Sequence, residues 1–140
     1  MKTHVLSGLL LLSFGLFALG STGSSSPSVK SSSSLGAPVA SVTADEILSI
    51  YQANEINADQ RFKDKVISVS GVVDTVGKDV LDNMYVAIRG SNEYSIFRVQ
   101  AFFDDSYASR LAGLSKGLTL TVKCRCEGKF VNVLLKDCRY

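Results

Sequence analysis

The chain has 140 residues, 46% hydrophobic and 20% charged, with a formal net charge of +2. That length and balance describe one small globular domain and exclude a multidomain machine or a large cofactor fold. The single histidine, His4, lies in the leading segment, so Ser-His-Asp catalysis, Cys-His catalysis and histidine metal sites have nothing to build on in the body of the chain.

Met1-Lys2-Thr3-His4 is a short basic start, and Val5 to Gly20 is an apolar, leucine-rich run. Ala18-Leu19-Gly20 puts small residues at the positions a signal peptidase reads, so residues 1–20 are expected to be an export signal cleaved after Gly20. The mature protein is then periplasmic or secreted, with no membrane span. A transmembrane helix usually needs about 20 apolar residues, which makes an uncleaved N-terminal anchor the weaker alternative. Ser21 stands where a bacterial lipoprotein would carry its lipidated cysteine. Residues 21–42 are rich in serine, with no apolar period, and cannot bury enough surface to offset their chain entropy. They read as a flexible linker.

The folded part is expected over residues 43–140. Thr43 and Glu46 have the spacing of a capping box, and Ile47, Leu48, Ile50 and Tyr51 share a broad helical face, which predicts a helix over 44–54. The polar stretch 57–63 reads as a link. From Ile67 the period changes to two, with Ile67, Val69, Gly71 and Val73 on one side, and Gly71 suggests a bulge or bend. A second strand is expected over Met84–Arg89 and a third over Tyr94–Phe103, joined by a turn at 90–92. Asp104, Asp105 and Ser106 offer caps for a short helix containing Tyr107, Leu111 and Leu114. A last hairpin alternates Leu118, Leu120, Val122 and Cys124 inward, turns at Glu127-Gly128-Lys129, and returns through Val131, Val133 and Leu135.

Helix, three strands, short helix, two strands is the order of a five-stranded OB-fold, a mainly β Greek-key barrel. A ferredoxin-like sandwich would need a helix between its first two strands, and none is expected there.

Asn54-Glu55, Ala58-Asp59, Phe62-Lys63, Lys65, Val69, Gly71 and Val73 form one pattern. Leu114, Lys116-Gly117, Val122-Lys123, Cys126, Gly128, Val133 and Leu135-Lys136-Asp137-Cys138 form a second. In this order they resemble the tRNA-anticodon-like OB-fold family of mostly bacterial proteins, over about residues 43–140. The resemblance implies an OB barrel in proteins that commonly carry an export signal or membrane segment. It carries over no catalytic residue and no cofactor. Two positions depart from the pattern: relatives often have cysteine near Ala101, and glycine where Cys124 stands.

Three cysteines in a short exported chain invite one bridge and one free thiol. Cys124 and Cys126 share one side of a strand, about 6.6 Å apart, at the edge of bridging range. With the turn at 127–129, Cys138 lies far from both unless the last strand curls over the barrel end. Geometry thus resists any bridge. Cys126–Cys138 is the candidate disulfide, Cys124–Cys138 the lesser one, and a three-thiolate metal site has no fourth ligand.

Residues 43–140 hold 13 Lys and Arg against 13 Asp and Glu, a neutral balance that disfavours a nucleic-acid module. The acidic groups concentrate before residue 110. Lys123, Arg125, Lys129 and Lys136 follow as a basic stripe, read as a solvated outer face ahead of an anion-binding one. The Asp104-Asp105 pair reads as a helix cap ahead of acid–base machinery, and Lys63 and Lys65 as a solvated strand entry.

The usual OB ligand surface is the outer face of the second and third barrel strands. Here that face would show Tyr85, Arg89, Tyr94, Ile96, Arg98, Gln100 and Phe102, with Ile96 and Phe102 expected under a loop or helix. Tyr85 and Arg98 are the expected anchors, and Lys123 and Arg125 an electrostatic support. The function expected is an exported, non-enzymatic OB binding module contacting a protein or glycan in the cell envelope. The alternative is a single-stranded nucleic-acid-binding OB domain.

Overall fold

Residues 34–140 are described in a computed structural model, so the expected export signal and the linker up to residue 33 lie outside the described residues. The chain runs β1 (Ala40–Thr43), α1 (Ala44–Ala53), α2 (Glu55–Phe62), β2 (Val66–Lys78), β3 (Met84–Arg89) and β4 (Val99–Phe102). A 3₁₀ turn (Asp105–Tyr107), α3 (Ala108–Ala112), β5 (Thr119–Lys129) and β6 (Val133–Arg139) complete it.

The capping box forms as expected. The Glu46 N–H donates to Thr43 Oγ1 at 3.2 Å, and the Thr43 N–H donates to the Glu46 carboxylate at 2.6 Å. This satisfies two helix N–H groups that have no partner within the helix. Ile47, Leu48 and Tyr51 are buried at one end of the barrel. The polar stretch expected as a link is instead the second helix, α2. Asn54 ends α1 and starts α2, its side chain accepting the Asn57 N–H at 3.0 Å. Ala58 and Phe62, one turn apart, bury the only apolar stripe α2 has.

Barrel closure depends on β2, which is 13 residues long. Its first half pairs antiparallel with β5, from Val66 opposite Arg125 to Val72 opposite Thr119. Its second half pairs antiparallel with β3, from Val72 opposite Arg89 to Lys78 opposite Met84. β3 pairs with β4, β4 runs parallel to β6, and β6 returns antiparallel to β5, closing five strands. β1 adds a sixth, parallel to Ile67–Ser70 of β2. It occupies the end of the stretch read as linker, so the ordered pairing starts at Ala40. Gly71 marks a close approach, not the bulge: a Cβ there would lie 2.4 Å from Ile88 Cγ2 and 2.7 Å from the Arg89 carbonyl. The register shift falls three residues on, between Val73 and Thr75.

Two expected elements differ. Tyr94–Arg98 is outside the third barrel strand, which is Val99–Phe102 alone. The Arg98 N–H goes to Asn132 Oδ1 at 3.1 Å and its guanidinium folds back on the carbonyls of Ser95 and Phe97, so the backbone bends where alternation suggested extension. The final hairpin turns at residues 130–132 instead of 127–129, pairing Lys129 with Val133. Gly128 stays inside β5 at φ +104°, beside a register shift. Val131, expected inward, is therefore exposed on the turn.

The shifted turn corrects the disulfide. Lys123 now faces Arg139 and Arg125 faces Lys136, and Asp137, at φ +54°, takes up the extra residue. Cys138 comes beside Cys124, with Cα atoms 4.2 Å apart, and the two form the bridge. The Cys126–Cys138 pairing does not exist; Cys126 is buried with a free thiol. As expected, Val122, Cys124 and Cys126 all point into the core.

Candidate binding face

On β3, Val86 and Ile88 point into the barrel, so Tyr85, Ala87 and Arg89 point out. On β4, Val99 and Ala101 are inward, leaving Gln100 and Phe102 outward. The register sets Tyr85 opposite Phe102 and Ala87 opposite Gln100. Both rings are half-buried, with centroids 5.9 Å apart and planes tilted by 56°. The Tyr85 phenol lies over Gly77, its partner on β2. Gln100 Oε1 accepts from Asn132 Nδ2 at 3.5 Å, and Arg89 Nη1 donates to the Gly90 carbonyl at 3.1 Å. Tyr85, Arg89, Gln100 and Phe102 thus share one face.

The other expected residues do not join them. Arg98 is a lock: Nε donates to Asp74 Oδ2 at 2.9 Å, with both side chains only 18% exposed. Lys116 approaches the other Asp74 oxygen at 3.5 Å. The Arg98 hydrogen bond holds the Asp74 carboxyl below the usual carboxylate range. Asp74 is the register-shift residue of β2, so this pair ties the β3–β4 loop to the barrel wall. Tyr94 is 86% exposed in that loop, off the strand face.

Lys123 and Arg125 lie on β5, which β2 separates from β3. Lys123 Nζ donates to the Leu35 carbonyl at 3.1 Å, and Arg125 pairs with Asp137 at 3.6 Å. Lys129 pairs with Glu55 at 3.6 Å, and Lys136 with Glu127. Each of these four cations thus has a partner within the described residues, a backbone carbonyl for Lys123 and a carboxylate for the other three. The remaining polar candidates are structural too: Asp104 Oδ1 accepts the Ser106 N–H at 3.0 Å, and Lys65 Nζ caps the end of α2 through the Gln60 carbonyl at 2.7 Å.

Sequence reasoning missed the loop at one end of the face. Val80 is 100% and Leu81 78% exposed between β2 and β3. Beneath them, Asp79 Oδ1 accepts the N–H groups of Leu81 at 2.8 Å and Asn83 at 2.9 Å, while Oδ2 accepts from Asn83 Nδ2 at 3.0 Å. Those bonds, the Asn83 side chain foremost, hold the Asp79 carboxyl low. Two aliphatic residues inside an Asp-Val-Leu-Asp turn were the available signal.

Where α1 and α2 meet β5, the Tyr51 hydroxyl lies 3.0 Å from Asp59 Oδ1 and 3.4 Å from Cys126 Sγ. Burial pushes both the phenol and the thiol above their ordinary values. Among the described residues no group of three His, Cys, Asp or Glu side chains is placed to hold a metal ion.

A closed five-stranded barrel with a helix between its third and fourth strands defines an OB-fold domain. The chain belongs to the tRNA_anti-like family, whose model matches residues 5–139. Among solved structures it is similar to a Klebsiella pneumoniae lipoprotein described provisionally as nucleic acid-binding. The two share 17% identity and a TM-score of 0.57, over 70% of this chain and 88% of that one. It is also similar to OBody AM3L09 bound to hen egg-white lysozyme, at 17% identity and TM-score 0.43, over 56% of this chain and 82% of that one. None of the curated proteins compared with the chain matches it.

Proposed function

We propose that the protein is an exported, non-enzymatic binding module that presents the outer face of β3 and β4 to a protein partner in the cell envelope. The observation that carries this reading is the outward Tyr85–Phe102 pair, half-buried on a strand face that needs no ring for its own core. Aromatic residues on a rigid sheet offer large contact area at little entropic cost. The preorganised Val80-Leu81 tip extends the apolar surface at one end, which suits a protein better than a glycan, whose hydroxyls call for a rim of open polar groups. Gln100, the face's amide, is already engaged by Asn132. Export is supported by the basic start and apolar run before Gly20, and by the Cys124–Cys138 bridge, since disulfides persist in oxidising compartments.

The second reading, single-stranded nucleic acid, draws on the same two rings, on which bases could stack. The name of the Klebsiella pneumoniae lipoprotein of similar fold points the same way. Against it stand the 13-to-13 charge balance and the pairing of Arg125, Lys129 and Lys136 with carboxylates of the fold, which leave little to neutralise phosphates.

The test is capture of native partners by the wild type, by Tyr85→Ala/Phe102→Ala and by Lys123→Ala/Arg125→Ala, all with matched melting curves and with or without nuclease. Protein partners lost only with the first variant, and indifferent to nuclease, are expected. Loss only with the second variant would overturn the face. Partners that vanish on nuclease treatment would favour the second reading.

A further inference from the structure

The end of the barrel opposite the Val80-Leu81 loop carries a second apolar surface that the binding face does not use. The β3–β4 loop exposes Tyr94 (86%) and Ile96 (82%), and the β5–β6 turn exposes Phe130 (85%) and Val131 (61%). The two tips are fastened together. The Arg98 N–H donates to Asn132 Oδ1 at 3.1 Å and the Val133 N–H to the Arg98 carbonyl at 3.1 Å. The Lys129 ammonium sits 5.9 Å from the Phe97 ring centre, beside both Ile96 and Phe130 in sequence. Arg98 is in turn pinned to Asp74 in the barrel wall. Two rings and two aliphatic side chains at these exposures leave on the order of 500–600 Å² open, the upper end of what a monomer shows.

We infer that this barrel end is the contact between two copies of the chain, related by a two-fold axis. Two properties select a second copy over other occupants. The first is size: the patch supplies most of the roughly 800 Å² per partner that a standard interface buries, leaving a modest share for its polar rim. The second is charge. The cations at its base are compensated within the fold, Lys129 by Glu55 and Arg98 by Asp74, so apposing the patch on itself sets no bare like charges together at its centre. Glu93, exposed in the same loop, belongs to the rim. An anionic membrane would call for a basic border, and a strongly charged partner protein for uncompensated charge. A neutral apolar patch is self-complementary, as an isologous contact requires. Joining two barrels by these tips would leave the Tyr85 end of each β3–β4 face open, giving one particle two binding faces and the avidity that follows. The contact itself stands independently of which partner that face takes.

The test is sedimentation equilibrium of the full chain as isolated from its host, over about 1 to 500 µM, a range that brackets a modest dimer. Ile96→Asp and Phe130→Asp are measured alongside. Both side chains are solvent-exposed, so melting temperature and the Cys124–Cys138 bridge should be unchanged in each. A concentration-dependent doubling of mass is expected for the wild type, with the dissociation constant raised roughly 30-fold or more in either variant that stays folded. A wild type that stays monomeric throughout, or a dimer indifferent to both substitutions, would overturn the inference.

Discussion

Cys126 and Tyr51 show how burial turns reactive side chains into packing. Each is almost fully enclosed, and each has its acid dissociation pushed upward by that enclosure. The thiol should therefore resist alkylation in the native protein and react as one group per chain after denaturation. Labelling of the folded protein at the rate of a free thiol would contradict the burial. The pH dependence follows from the same shifts. Both groups stay protonated in the fold while the unfolded chain ionises above about pH 8.5 for cysteine and about 10 for tyrosine. The unfolded state then binds fewer protons, so stability is complete below that range and declines as pH rises through it. The melting temperature should fall from about pH 9 upward, and Tyr51→Phe should flatten the fall. Asp74 has the opposite sign: its lowered carboxyl lends stability at neutral pH that is lost on acidification, and Asp74→Asn should remove that acid-side contribution. The Cys124–Cys138 bridge closes a short loop, with the two residues 14 apart in sequence. Cys124→Ser/Cys138→Ser should lose roughly 3 kcal/mol in denaturant unfolding.

At the scale of elements, what could be read from the sequence was whatever local chemistry decides. The Thr43–Glu46 capping box announced α1, and alternation announced β2, β3 and the inward face of β5, because each signal is fixed by neighbours within four residues. Thr43→Ala should accordingly cost about 1 kcal/mol. Val122→Asp would bury a charge with no partner and should abolish folding; a soluble variant with an unchanged melting curve would mean that the phase of β5 is wrong. The elements that escaped were decided at a distance. α2 has only Ala58 and Phe62 to bury, too weak a pattern to recognise until Asn54 serves both helices. Gly128 suggested a turn, yet it lies within the strand, and the hairpin tip is set by the contacts of Asn132 with Arg98 and Gln100. That displacement of a few residues exchanged one disulfide partner for another. The candidate face divided along the same line. The shared outward side of Tyr85, Arg89 and Gln100 followed from strand phase, whereas Arg98 is turned away from it by Asp74, 24 residues earlier.

Across the whole molecule, charge and apolar exposure are arranged differently. Three cations of the final hairpin, Arg125, Lys129 and Lys136, pair with carboxylates inside the fold, and residues 43–140 balance 13 positive against 13 negative groups, so the domain has no net positive charge to attract a polyanion. Apolar side chains stand open instead at the two loop ends and, half-buried, as the Tyr85–Phe102 pair between them. The protein-binding role proposed for the β3–β4 face rests on that surface. It can be examined in the living host by placing a photoreactive residue at Tyr85, or at Thr121 on the exposed side of β5, and illuminating intact cells. Discrete, nuclease-resistant protein adducts from position 85 and none from position 121 are expected. Adducts from 121 with none from 85 would contradict the assignment of the β3–β4 face, and nuclease-sensitive adducts from 85 would contradict a protein partner.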